Sequence, residues 1–148
     1  MIGLQFKRMN EYNKFLGDIL QNVKSQKKYW HIIENEVLDS KGNDLFFKTI
    51  YDDESFKRIV DQVHYPIFLK ICLFNDDKKN KIDTYEDFEN GECNLLLIVT
   101  DCEYVEIYAK SEELLKQIEA NAKRANCFDI RYIEKNTITR KFFSSYRD

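Results

Sequence analysis

Asn94-Leu95-Leu96-Leu97-Ile98-Val99-Thr100-Asp101-Cys102-Glu103-Tyr104-Val105-Glu106-Ile107-Tyr108-Ala109 decides the fold. Residues 95–99 are apolar on both faces, which implies a central strand. Asp101-Cys102-Glu103 turns the chain, and over 104–109 Val105 and Ile107 alternate with Glu106 and Tyr108, the pattern of a second strand. Ser111 then caps a long helix with Glu112 and Glu113 in its first turn and Lys123 and Arg124 in its last. Its apolar stripe is Leu114, Leu115, Ile118, Ala122 and Ala125. Residues 128–133 read as another strand, so 104–133 is a strand–helix–strand unit whose strands can run parallel.

Upstream, Ile2, Leu4 and Phe6 alternate with polar neighbours and form a short strand. Asn10 is expected to cap a helix with the stripe Tyr12, Phe15, Leu16, Ile19, Leu20 and Val23, closed by Lys24, Lys27 and Lys28. Gly17 inside it costs about 1 kcal/mol against Ala, which points to close packing. Residues 29–38 and 45–50 are expected to pair as a hairpin around the turn cluster at 40–44. Asp52 or Asp53 caps a helix with the stripe Phe56, Ile59, Val60 and Val63, and Pro66 marks the entry to a strong strand over 67–74. Thr84-Tyr85-Glu86-Asp87 has the form of a capping box, with Asn90-Gly91 as left-handed closing residues. The expected fold is α+β: one domain over 1–148, a five- to six-stranded, mostly antiparallel sheet, and three main helices packed mainly on one face.

The chain has 148 residues, four glycines, one proline and a net charge of −3. The acidic balance argues against a general nucleic-acid binder. Cys72, Cys93, Cys102 and Cys127 form no C-x-x-C pair, and three of them border apolar runs, so they read as buried hydrophobes. The N-terminus lacks the long apolar block of a secretory signal, and 95–99 is far too short to span a membrane. A cytoplasmic location is expected.

Ile82-Asp83-Thr84-Tyr85-Glu86-Asp87-Phe88, Cys93 and the run 95–110 resemble the bacterial family called domain of unknown function 2691. Tyr29-Trp30-His31-Ile32, Asn10-Glu11-Tyr12, and Asn121-Ala122-Lys123 leading to Tyr132-Ile133 extend the resemblance over nearly the whole chain. It implies a bacterial, cytoplasmic, single-domain protein and carries no catalytic or binding residue with it.

The chemistry is sparse. His31 reads as a half-exposed strand residue and His64 as a cation at a helix C-terminus. A Cys102–His31 nucleophile pair is the form an enzyme would take. No calcium loop, P-loop or dinucleotide fingerprint is present, so no catalytic residue, cofactor or metal is expected. Tyr85, Glu86, Asp87, Glu89 and Glu92 crowd an acidic patch suited to a basic protein partner, as in a toxin-neutralising immunity protein or similar inhibitor. Arg140-Lys141-Phe142-Phe143 and Tyr146-Arg147 interleave bases and aromatics as single-strand nucleic-acid binders do, but also read as an element docking Phe142 and Phe143 on the core. The expectation is a non-enzymatic protein-binding module; the oligomeric state is left open.

Overall fold

In a computed structural model of the chain, residues 1–23, 28–78, 81–138 and 140–146 are described. The expected central strand is β5 (Leu95–Thr100), buried along its whole length. It pairs antiparallel with β4 (His64–Phe74) on one side and β6 (Tyr104–Ala109) on the other. The turn between β5 and β6 falls where expected: Asp101 (φ 51°) and Cys102 (φ 67°) are both left-handed, and Glu103 N–H donates to the Thr100 carbonyl at 3.3 Å.

Beyond β6 lie β1 (Gly3–Lys7) and the edge strand β7 (Phe128–Ile133); beyond β4 lie β2 (Tyr29–Asp39) and the edge strand β3 (Ile50–Asp52). The order is β3-β2-β4-β5-β6-β1-β7, and every pairing is antiparallel. The sheet therefore has seven strands rather than five or six. β6 and β7 run parallel, as the strand–helix–strand unit allows, but β1 lies between them and pairs with both.

Four α-helices occur among the described residues rather than three: α1 (Phe15–Leu20), α2 (Asp53–Val60), α3 (Tyr85–Asn90) and α4 (Glu112–Arg124). α1, α2 and α4 bury their stripes against one face, on Leu4, Phe6, Trp30, Ile71, Leu97 and Ile107. α3 covers part of the other face, over Cys72, Leu96, Ile98 and Tyr108. Trp30 anchors the first core: its ring stacks on Phe56 at 4.3 Å, and its indole N–H donates to Asp53 at 2.9 Å.

Local physics accounts for the other departures. α1 starts four residues late, with Lys14 rather than Asn10 at its N-cap and Tyr12 exposed. Asn10 accepts from the Tyr65 hydroxyl instead of capping. Lys24 and Lys27 lie outside the described residues, as does Arg147. Residues 45–49 do not form the expected strand: Leu45 and Phe46 are buried, with Phe46 packed on Tyr51 and Phe56, and the strand begins only at Ile50, as β3. The turn itself forms: Asp39 Oδ1 accepts from Lys41 N–H and Asn43 N–H, and Gly42 is left-handed. Pro66 sits inside β4, opposite Val37 at a register shift in β2, where its missing N–H does least harm. Gly91 has φ −101°, so no left-handed residue closes α3. A Cβ there would approach the Asp87 carbonyl to 2.8 Å, which is what requires glycine.

Candidate functional site

α3 forms because Thr84 leaves the strand-like backbone and caps it. Thr84 Oγ1 accepts from Asp87 N–H at 3.1 Å, and Asp87 Oδ2 accepts from Thr84 N–H at 3.1 Å and Asp83 N–H at 3.0 Å. Those backbone donors, that of Asp83 foremost, hold the Asp87 carboxyl below its ordinary range. Asp87 is therefore occupied in holding the helix. Phe88 is buried, and Tyr85 is half-buried against Phe88 and Phe143. Glu89 pairs with Lys135 at 3.1 Å and accepts from the Tyr85 hydroxyl at 3.3 Å. Glu86 and Glu92 are exposed. Three lysines border the patch: Lys135, Lys81 at 3.7 Å from Asp83, and Lys110, whose ammonium donates to the Gly91 carbonyl and lies 5.4 Å from the Phe88 ring centroid.

The basic-aromatic C-terminal segment folds back across this same face. Arg140 pairs with Glu106 at 2.5 Å, Phe143 is buried against Tyr108, and Glu34 accepts from the Ser144 and Ser145 hydroxyls and from Ser145 N–H. Phe142 stays 53% exposed, so one of the two expected docking aromatics is in the core and one is not.

The structure does not bring His31 and Cys102 together. His31 is buried rather than half-exposed, its Nε2 lies 3.1 Å from the Asp76 carbonyl, and its ring meets Phe74 edge-on. It stands opposite Cys72, which stands opposite Leu96, whereas Cys102 follows the far end of β5. Leu96 to Thr100 alone spans about 13 Å at roughly 3.3 Å per residue, so His31 cannot serve Cys102 as a base. His64 opens β4 rather than ending a helix. It accepts at Nε2 from Leu16 N–H at 3.1 Å and lies 2.7 Å from the Gln62 carbonyl through Nδ1, which places its proton on Nδ1. Burial lowers its pKa to about 4, so it is neutral at pH 7 and not the expected cation. Among the described residues no group of three or more His, Cys, Asp or Glu side chains is arranged to hold a metal ion.

Arg8, unassigned by sequence, is 1% exposed and ties three segments together. Its guanidinium donates to the Cys102 carbonyl and the Glu11 carbonyl, both at 2.6 Å, and lies over the Phe15 and Tyr65 rings. Its Nε has no partner among the described residues. Burial lowers its pKa, as expected for a cation bonded to neutral carbonyls. The signal was in the alternation: Arg8 continues the Leu4, Phe6 spacing one residue past the end of β1.

The sheet's second face also carries a surface beyond α3, bordered by the C-terminal segment, whose Arg140 reaches Glu106. A groove of about 340 Å³ runs over β6, β1 and β7, lined by Gln5, Lys7, Tyr104, Glu106, Asp129 and Arg131. The register explains the cluster: Lys7 stands opposite Tyr104, and Gln5 opposite both Glu106 and Arg131. Tyr104 is 46% exposed, with the Lys7 ammonium 5.5 Å from its ring centroid, and Lys7 pairs with Asp129 at 3.5 Å.

No helix among the described residues is long and apolar enough to cross a membrane. A family model described as "Protein of unknown function (DUF2691)" matches residues 1–144. The curated "Uncharacterized protein YncE" of Bacillus subtilis (strain 168) is 28% identical over 148 residues, covering 93% of this chain and 95% of that protein. No solved structure matches the chain.

Proposed function

Since the chain belongs to the DUF2691 family, whose description names no activity, we propose from its geometry that it is a non-enzymatic protein-binding module. The observation that carries this reading is the uncovered sheet face, where exposed Tyr104 and Arg131 flank a groove. Tyrosine and arginine are the residue types that dominate interface energetics, because each combines a large contact area with directional donors. β7 also lies at the sheet edge, beside this groove, with one side of its backbone unpaired in the sheet.

The test is affinity capture on the intact chain, with Tyr104→Ser/Arg131→Ser as the comparison. A stoichiometric protein partner retained by the wild type and lost by the variant supports the reading. Equal retention by both, with both chains folded, rejects this face as the binding surface.

The acidic α3 face is a second reading, favoured by exposed Glu86 and Glu92 beside half-buried Tyr85. It fits a basic protein, for example the toxin of an immunity or inhibitor pair, and it predicts capture that weakens with salt and with Glu86→Gln/Glu92→Gln. Capture indifferent to both rejects it.

A further inference from the structure

The register of the sheet aligns one row of side chains across its second face. Glu34 stands opposite Lys70, Lys70 opposite Ile98, Ile98 opposite Glu106, Glu106 opposite Gln5, and Gln5 opposite Arg131. Directly opposed residues of neighbouring strands share a face, so the row runs unbroken from β2 to β7. Its Glu106–Arg131 half is the groove. Its Glu34–Glu106 half is bridged by residues 140–146, across three strand spacings or about 14 Å. Glu106 belongs to both halves: it lines the groove and accepts from Arg140 Nη2 at 2.5 Å. At the far end Ser144 and Ser145 donate to Glu34, and the Tyr146 hydroxyl donates to Glu36 at 2.8 Å. Between them the Phe143 ring lies 4.6 Å from that of Tyr108.

Side chains, not a ladder, hold this segment. It forms neither helix nor strand, and its backbone–backbone bond to the rest of the described residues is Phe143 N–H to the Asp83 carbonyl at 2.7 Å. Phe143 and Ser145 are buried; Lys141, Phe142 and Tyr146 are exposed. A short segment with so little buried surface can open without the sheet unfolding. We propose that the Glu34–Glu106 half of the row is a docking site for a basic-aromatic peptide segment of a protein partner, and that residues 140–146 occupy it in cis as a displaceable cover. The cover displays the chemistry the site takes: a guanidinium on Glu106, a ring on Tyr108, hydroxyls on Glu34. Charge agrees, since Glu34, Glu36 and Glu106 face a segment carrying Arg140 and Lys141. This assignment rests on the reading of the sheet face as a binding surface and adds its regulation: a partner in the groove that engages Glu106 must displace Arg140.

The probe is a labelled peptide of residues 140–146, acetylated and amidated, titrated into the full chain by fluorescence polarisation. In the wild type it competes with the tethered copy and binds weakly. Arg140→Ala/Ser145→Ala loosens the cover, and peptide affinity is expected to rise by about tenfold or more. Adding Glu34→Gln to that variant removes the gain, and a peptide carrying Arg140→Ala/Phe143→Ala does not bind. No binding to the loosened, folded chain overturns the proposal; so do equal affinity for both chains and a gain that survives Glu34→Gln. Hydrogen exchange of the wild type needs no variant to fold: the Phe143 and Ser145 amides are expected to exchange ahead of those of β5, and exchange in step with β5 overturns the cover. Neither measurement alters Tyr104 or Arg131. A failed cover therefore leaves capture by that face to be decided separately, and failed capture leaves the peptide result readable.

Discussion

His64 shows how burial turns a titratable side chain into a structural one. Its folded pKa of about 4 lies below the ordinary 6.5, so between those values the unfolded chain binds more protons than the folded one. Stability accordingly rises with pH across that window. The contribution is complete above about pH 6.5, shrinks as pH falls, and is gone below about pH 4, a difference of about 3 kcal/mol. Urea midpoints measured from pH 4 to 7 check this; His64→Gln is expected to flatten the slope in that interval. Asn121 is a second buried polar anchor, where Nδ2 donates to the carbonyls of Ile19 and Gln21 at 2.9 Å each, satisfying the end of α1. Asn121→Ala strands both carbonyls and is expected to cost about 2–3 kcal/mol by denaturant unfolding.

Elements differ in how openly they announce themselves. α3 is legible because its cap is written locally: Thr84 and Asp87 stand three apart, and both reciprocal bonds form. Thr84→Ala is expected to cost about 1 kcal/mol, read as a lower thermal midpoint. α4 and the β5–β6 turn are legible for the same reason, since Ser111 accepts from Leu114 N–H and the three residues Asp101-Cys102-Glu103 separate the strands. β3 was not legible. Its pairing with Tyr29–His31 depends on where 45–49 places Leu45 and Phe46 in the core, a tertiary outcome that no local pattern encodes. Gly17 sits between these cases. Helix propensity says alanine should gain about 1 kcal/mol, but a Cβ there would meet the Val60 carbonyl at 2.8 Å. Gly17→Ala is therefore expected to destabilise, by about 1–3 kcal/mol; a raised midpoint would show that α1 and α2 can separate freely.

Across the described residues, several polar side chains are engaged in holding the fold. Arg8 joins three segments, His31 and His64 are bonded to backbone, and Glu34, Glu106 and Arg140 fasten the C-terminal segment. Of the candidate site, sequence revealed the acidic α3 face but not the groove. Gln5, Lys7, Tyr104, Asp129 and Arg131 come from three strands, and only the order β6-β1-β7 assembles them. The proposed binding role rests on this assembled surface. The most direct test is to place a photo-crosslinking phenylalanine analogue at position 104, and at exposed Phe47 as the control, in the intact chain inside the cell. A discrete protein adduct from position 104 and none from position 47 is expected. Absence of an adduct at 104, with the chain folded and the label incorporated, contradicts a binding role for this face.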